Sequence, residues 1–495
     1  MIEHSGQFFG RLEAQARRSP GRIAYSNGLE SMTYAEMLTN VGKVASHVER
    51  SANSRNPVLV MGHKEPAMLC GLLGVARSGR PYVPLDDRLP AERLASIREI
   101  ARPSLELTVR DIIRVCCEEK EVSAALCEVG LGEPVYVLFT SGSTGLPKGV
   151  IIRWRGLLAF VNWMMAEQGF AIGDEVILGQ APFTFDLSVM DLYLSLASGG
   201  THVSLPREIL GAPRGLFALF SEAKPTTWIS TPSFAAFCAA DTKFRRDLLP
   251  ELKRFIFCGE TLPWGLARTL LDRFPDVALW NTYGPTECTV AVTSIRVTKE
   301  LLSEYQDIPL GRAMPGTKVF VGNEHRALIE EGSRGEIIIA GPSVSPGYLA
   351  CPDLTADRFF AHEGCRAYAT GDWGVQRDGL LFFEGRMDQQ VKIGGHRIEL
   401  EDVEVNLRQL PGVLNAVVVP IERNQAVEGM AAFIETEPLG ATSEFAVSQR
   451  LRSELSRKLP TYMLPKKWIF RANLPANANG KVDRKLLAAE LARRQ

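Results

Sequence analysis

Tyr136-Val-Leu-Phe-Thr-Ser-Gly-Ser-Thr-Gly-Leu-Pro-Lys-Gly-Val150 is the stretch that decides the fold. Residues 135–139 form an apolar run with the composition of a buried strand. The run opens into a loop of glycines, serines and threonines with one lysine, then closes into a second β-rich run, Val150-Ile-Ile. Glycine lets a backbone approach a ligand closely, hydroxyls and amides donate to phosphate oxygens, and lysine adds a point charge. Thr140, Ser141, Gly142, Ser143, Thr144 and Lys148 are therefore candidates to hold nucleotide phosphates. The spacing is not that of a Walker A loop, and a strand rather than a helix is expected to follow. An ordinary Gly/Ser hairpin turn is the simpler reading, but the density of these residues exceeds what a turn needs. The loop points to a nucleoside triphosphate.

Outward from this loop, strand-like and helix-like segments alternate. Thr33 is placed to cap a helix reaching about residue 47. Residues 56–62 read as a short buried strand, 67–78 as a helix ended by Gly79, and 82–85 as another apolar run. Further strands are expected at 176–178, 227–230, 254–257 and 278–280. This alternation predicts an α/β fold of layered sheets and helices. The pattern changes near Gly385-Arg-Met-Asp-Gln-Gln-Val-Lys-Ile-Gly-Gly-His-Arg-Ile-Glu. Beyond it a helix is expected over 402–410, a strand over 416–420 and a helix over 448–459, enough for a small α+β domain. The expected organisation is a large domain over residues 1–386 and a small mobile domain over 387–495, joined by a short polar pivot.

The chain has 495 residues, of which 45% are hydrophobic and 23% charged, as in soluble globular proteins. Its formal charge of -1 argues against a broad nucleic-acid surface. The first residues lack the basic start and apolar run of a secretory leader, and no segment approaches membrane-spanning length. Nine cysteines are scattered without paired metal-ligand spacing, so reduced thiols in a cytoplasmic protein are expected.

Several further segments, in order, carry a family resemblance. They are Met32-Thr-Tyr-Ala-Glu-Met, Arg80-Pro-Tyr-Val-Pro-Leu-Asp, the phosphate loop, Phe185-Asp-Leu-Ser and Asn281-Thr-Tyr-Gly-Pro-Thr-Glu. Tyr368-Ala-Thr-Gly-Asp, Gly385-Arg-Met-Asp, Leu459-Pro-Thr-Tyr-Met-Leu-Pro and Asn479-Gly-Lys-Val-Asp-Arg follow. Nearly end to end, the chain resembles the acyl-adenylate-forming enzymes. The likeness is greatest to the amino-acid adenylation domains of nonribosomal peptide synthesis and to the stand-alone D-alanine–carrier-protein ligases.

The resemblance implies roles for residues that alone have plainer readings. Tyr283 would stack on adenine, Thr286 contact the α-phosphate and Glu287 help hold Mg²⁺, a hard cation suited to departing pyrophosphate. Alone, Gly-Pro-Thr-Glu reads as a helix start with capping residues. Asp372 would accept from the ribose hydroxyls, joined by Arg386; the plainer readings are an Asx turn and a surface ion pair. Lys481, otherwise a solvated loop charge, would be the catalytic lysine bridging substrate carboxylate and α-phosphate, delivered by domain closure. Asp388 falls at the family's hinge, or is an exposed turn aspartate.

Asp186 matches the family aspartate that pairs with a substrate α-ammonium; its other reading is the N-cap of a helix from Leu187. Leu187, Met190, Ser230, Ile256, Cys258, Thr282, Val290 and Ala291 align with the family's pocket. They are apolar or nearly so, and Met190 and Cys258 are large enough to narrow it, so a small neutral amino acid is expected. Wording around the pocket looks most like the D-alanine ligases. Two departures stand out: Gly394-Gly395-His396 replaces a loop that in many relatives carries a bulky or basic residue, and residues 103–133 match the family poorly.

The reaction so implied is ATP- and Mg²⁺-dependent activation of alanine, possibly D-alanine, as aminoacyl-AMP. Transfer to a phosphopantetheine thiol follows; with no carrier-serine motif or condensation signature in this sequence, that thiol is expected on a separate carrier protein. No nucleic-acid or membrane partner is expected. A carboxylate–CoA ligase of the same fold and a non-catalytic nucleotide sensor are the competing readings. Asp186 speaks against the first; Lys481, Glu287 and Asp372 together speak against the second.

Overall fold

A computed structural model of the chain describes all residues except 121–128, 143, 211–212, 424–425, 437–442, 476–481 and 494–495. They divide into two compact units. The first comprises Met1–Asp87, Ala101–Leu138 and Gly149–Met387; the second comprises Arg88–Ile100, Phe139–Lys148 and Asp388–Gln495. The second unit thus gathers two segments, one of them the phosphate loop, that sequence reading assigns to the large domain.

The first unit is built on sheets whose strands follow from short apolar runs. Its nine-stranded sheet has at its centre Ala278–Tyr283, Arg254–Phe257, Thr227–Ser230, Val176–Gly179, Thr201–Ser204 and Ile23–Ser26 in that order, all parallel. Thr227–Ser230 and Arg254–Phe257 are buried along their whole length, as parallel strands covered on both faces must be. Antiparallel strands flank both ends of the run. Beneath it Trp228 packs edge-on to Phe220 and Phe244 in an aromatic core. A second sheet runs Leu105–Thr108, Val58–Gly62, Tyr82–Asp86, Pro134–Thr140, Lys148–Arg153. An antiparallel sheet pairs Arg334–Ala340 with Cys365–Arg377 and the latter with Leu380–Arg386.

Local signals place these elements. Thr33 and Glu36 form a reciprocal capping box that starts helix Tyr34–Ser51, one turn longer than expected. Helix Pro66–Arg77 has proline in its first turn and is followed by Gly79 in the left-handed region. Within the poorly matching stretch 103–133, strand Leu105–Thr108 leads into helix Val109–Glu118 through a second capping box.

In the second unit, strands Val413–Arg423, Ala426–Thr436 and Lys467–Arg471 form a three-stranded sheet accompanied by helices Leu400–Arg408, Glu444–Leu455 and Arg484–Arg493. The last two sheet strands run parallel, joined through helix Glu444–Leu455. A ribbon pairs Gln390–Ile393 with His396–Glu399. Gly394 and Gly395 connect its strands with φ of 56° and 82°, both in the left-handed region that a type I′ hairpin turn requires. The unusual Gly-Gly is therefore what a two-residue connection needs. The His396 ring next to it lies flat on Tyr462, with centroids 3.8 Å apart.

Candidate active site

The first unit brings the candidates into linked clusters. Asp372 and Arg386 face each other across an antiparallel pair. Arg386 Nη1 donates to Asp372 Oδ1 at 2.6 Å and to the Thr370 carbonyl at 3.1 Å. The Tyr283 hydroxyl donates to Asp372 Oδ2 at 2.5 Å. The carboxylate thus works across the sheet rather than closing an Asx turn. Arg386, with its side chain only 18% exposed, is not a solvent ion pair. Burial first, and then the Asp372 carboxylate, push the Tyr283 phenol well above its ordinary range, so it stays a protonated donor.

Tyr283 ends its strand at Gly284, where a side chain would run into the backbone of Ala291. Glycine is required there by close approach. Thr286–Cys288 then form a single 3₁₀ turn with no side-chain cap bond, so the capping reading of Thr286 and Glu287 does not hold. Thr286 Oγ1 instead donates to Asp186 Oδ2 at 2.5 Å. Glu287 is fully buried, and its Oε1 accepts from the Tyr348 hydroxyl at 2.7 Å. Asp186 immediately precedes helix Leu187–Ser198, yet its side chain makes no cap bond. The carboxylate is directed to Thr286, not to the helix start.

Leu187, Met190, Ile256, Cys258, Val290 and Ala291 share one hydrophobic cluster and are at most 3% exposed. Ser230 and Thr282, equally buried, have committed hydroxyls: Trp228 Nε1 donates to Ser230 Oγ at 2.7 Å, Ser230 Oγ donates to the Thr231 carbonyl at 3.1 Å, and Thr282 Oγ1 donates to the Phe257 carbonyl at 2.8 Å. Thr289 and Val290 are both left-handed, with φ of 62° and 68°. For β-branched residues this backbone is uncommon and costs roughly 1–3 kcal/mol each. It is held by Thr289 Oγ1, which donates to the Ser343 carbonyl at 2.8 Å, and it presents Ala291 to Gly284.

In the second unit the phosphate-loop candidates have partners of their own. Ser141 Oγ donates to the Arg397 carbonyl at 2.9 Å and accepts from the Glu399 amide at 3.0 Å. Lys148 Nζ lies 3.3 Å from Glu399 Oε1. A side chain at Gly142 would strike the Leu146 carbonyl. Gly145 accepts from Arg93 at 3.3 Å, and Arg93 pairs with Asp402 at 3.0 Å. Thr144 is exposed, whereas the Thr140 hydroxyl is buried with no hydrogen-bond partner among the described residues. A buried orphan hydroxyl beside a glycine-rich turn fits a loop that still has an anion to receive. Asp388 Oδ1 accepts from the Gln390 amide at 3.2 Å. Ser143 and Lys481 lie outside the described residues.

Comparison with known proteins decides which family this geometry belongs to. The description "AMP-binding enzyme" matches residues 12–349, and "AMP-binding enzyme C-terminal domain" matches 402–481. The chain belongs to the AMP-binding enzymes. It is 40% identical to the D-alanine–D-alanyl carrier protein ligase of Bacillus velezensis, across 97% of this chain and 98% of that protein. The ligase of the same name from Bacillus licheniformis is 39% identical over the same shares. Among solved structures, the Vibrio cholerae adenylation domain AlmE in complex with glycyl-adenosine-5'-phosphate superposes with a TM-score of 0.84 at 24% identity. That match covers 100% of this chain and 98% of AlmE, and it speaks to the fold. Holo-PA1221, a protein with adenylation and carrier domains, gives a TM-score of 0.83 at 27% identity over 98% and 84% of the two chains.

Within this AMP-binding enzyme, sequence reasoning missed the residues that support the site. Tyr348 orients Glu287, and Tyr368 lies 3.3 Å from the Tyr348 hydroxyl. Nothing local marks Tyr348 as different from a core tyrosine; only its contact with a carboxylate distant in sequence does. The left-handed pair Thr289-Val290 was equally hidden, since neither residue type announces positive φ. Among the described residues no group of three or more His, Cys, Asp or Glu is placed to hold a metal ion. Among the described residues, too, no helix is long and apolar enough to cross a membrane.

Proposed function

We propose that this AMP-binding enzyme activates a small neutral amino acid, alanine first and the D form favoured, and loads it on a carrier protein. The observation that carries the reading is the Asp186 carboxylate, directed away from its helix and toward Thr286 at the edge of a buried apolar cluster. A substrate ammonium would be a natural partner for such a carboxylate, which is half-buried beside apolar residues and already aimed away from its helix. Thr286 has one hydroxyl hydrogen. When an ammonium takes over Asp186, that hydrogen is released to turn to the α-phosphate. Amino-acid binding would so prepare the phosphate contact. The names of relatives 38–40% identical over 97% of the chain support alanine of D configuration and a carrier-borne thiol.

In the first step a substrate carboxylate oxygen attacks the α-phosphorus of ATP, the bond to the bridging oxygen breaks, and pyrophosphate leaves. Asp372 and Arg386 would receive the ribose, Tyr283 the adenine, and Thr140, Ser141, Gly142, Ser143, Thr144 and Lys148 the departing phosphates. Lys481 would bridge the carboxylate and the α-phosphate. Mg²⁺ commonly binds one or two carboxylates plus substrate phosphates. Glu287, a buried oxygen donor oriented by Tyr348, fits that arrangement. Bound Mg²⁺ would supply charge neutralisation on the phosphates. In the second step the phosphopantetheine sulfur attacks the acyl carbonyl, the mixed anhydride breaks, and AMP departs. Residues 1–386 would act as the core and 387–495 as the mobile lid pivoting at Asp388, in a cytoplasmic protein.

The test is Asp186→Asn in amino-acid-dependent pyrophosphate exchange, with propionate beside alanine. Removing one partner of a buried pair costs on the order of 3–5 kcal/mol. The variant is expected to lose alanine activation by at least about a hundredfold while ATP binding stays near wild type. Equal wild-type exchange with propionate and alanine would refute the ammonium role and favour a CoA ligase.

A further inference from the structure

Lys64 is 1% exposed and belongs to none of the motifs assigned above. Its ammonium group donates to the Gln180 carbonyl at 2.7 Å and to the Leu205 carbonyl at 2.8 Å. These two residues stand one step beyond the ends of the adjacent parallel strands Val176–Gly179 and Thr201–Ser204. The lysine's own carbonyl is held in turn by the Tyr25 hydroxyl at 2.8 Å and Asn27 Nδ2 at 3.1 Å. Lys64 is thus fixed at its backbone and fixes two strand exits at its tip.

From Gln180 the chain runs six residues to Asp186 and then enters helix Leu187–Ser198, which carries Leu187 and Met190. The Phe185 amide closes a turn on the Pro182 carbonyl at 2.9 Å, so the loop is a short rigid arm. The same helix carries Asp191, 1% exposed, whose two carboxylate oxygens are buried with no hydrogen-bond partner of normal geometry among the described residues. Asp191 sits against Gly179, where any side chain would overlap its Oδ2. Lys64 is the nearby cation that offsets this carboxylate, while burial drives the lysine down to about 7 and Asp191 well up. The arm is therefore gripped where it begins, and the helix it leads into carries the carboxylate that the lysine's charge offsets.

We propose that Lys64 is a positioning residue for the substrate arm: by holding the Gln180 and Leu205 carbonyls it sets where Asp186 stands relative to the pocket. This rests on the functional reading above, in which Asp186 receives the substrate ammonium. A backbone carbonyl offers no other route for a distant side chain to set the arm, and the two bonds persist for a neutral amine, which still has two N–H groups.

Two variants test it: Lys64→Met, and Lys64→Met combined with Asp191→Asn, which also removes the carboxylate left without its cation. Hydrogen–deuterium exchange of the unliganded protein, read at residues 181 and 183–185, should be at least about tenfold faster in both variants than in wild type. In pyrophosphate exchange the alanine KM should rise about tenfold or more in both variants, with the ATP KM within about twofold. The double variant should regain melting temperature over the single one without regaining alanine KM. Unchanged amide exchange in the arm overturns the proposal, as does a parallel rise of both KM values, which a merely structural role would give. If wild type activates no amino acid, the functional reading falls, and the amide exchange alone decides whether Lys64 holds the arm.

Discussion

Cys258 is the proposed pocket residue whose single substitution tests the pocket reading most simply. It is 3% exposed, its sulfur lies 3.7 Å from the Val290 carbonyl, and its amide bonds the Ser230 carbonyl at 3.4 Å. Its backbone is thus fixed, and only the side chain can change the space. Cys258→Ala is expected to relax the D/L choice or admit a larger side chain by about fivefold to tenfold in kcat/KM, since an accommodated methylene is worth roughly 1 kcal/mol. Exchange with D- and L-alanine and with 2-aminobutyrate reads this; an unchanged ranking would remove Cys258 from the pocket. The candidate chemistry-bearing residues could be named from sequence because motif and residue type coincide, as in Tyr283-Gly-Pro-Thr-Glu. Their partners were not. That Thr286 spends its hydroxyl on Asp186, or that Arg386 pairs with Asp372, depends on folding that brings distant segments together.

Elements were legible where a local signal dictates them and blurred where packing does. Thr33 and Glu36 announce a helix start, and strands 227–230 and 254–257 have the bounds read from their apolar runs. Ends moved instead where a neighbouring strand extends the pairing, as at Ala278–Tyr283, which continues beyond 280 because Thr293–Val297 pairs along it. Strand Thr201–Ser204 carries a feature no pattern announces, the fully buried His202, whose ring stacks on Tyr25 at 5.3 Å and whose Nδ1 lies 3.3 Å from Ser195 Oγ. Burial, with a lesser push from the Lys64 cation, lowers the imidazole to about 3. Between about pH 6.5 and 3 the unfolded chain then takes up a proton that the folded chain refuses, so stability falls as pH falls through that window. His202→Asn, which keeps a donor near Nδ1, should lose about 2 kcal/mol less than wild type between pH 6.5 and 4.5. Urea melts at the two pH values decide it; equal losses would place the acid sensitivity elsewhere.

At the scale of the whole molecule, the layered α/β architecture followed from the alternation of elements, and the mixed sheets bear it out. What the alternation could not tell is that segments 88–100 and 139–148 are gathered with the C-terminal residues into one compact unit, because the pairs found within it, Arg93 with Asp402 and Lys148 with Glu399, are 309 and 251 residues apart in sequence. Lys481→Ala is expected to abolish adenylate formation, at least about a thousandfold, with ATP affinity and folding nearly intact, because it would remove charge stabilisation only at the reacting centre. Thioester formation from preformed aminoacyl-AMP should survive, and single-turnover assays of each half-reaction separate the two.

Adenylation of a small neutral amino acid by this chain can be measured without any variant. The most direct measurement is amino-acid-dependent ATP–pyrophosphate exchange across the D and L amino acids, with purified protein and Mg²⁺. The account predicts alanine at the head of the ranking with the D form ahead, and little exchange with phenylalanine, lysine or glutamate, because the proposed pocket residues Met190, Cys258, Val290 and Ala291 would offer little room to a large side chain and no partner to a charged one. A clear preference for any of those three, or exchange indifferent to the amino group, would contradict it.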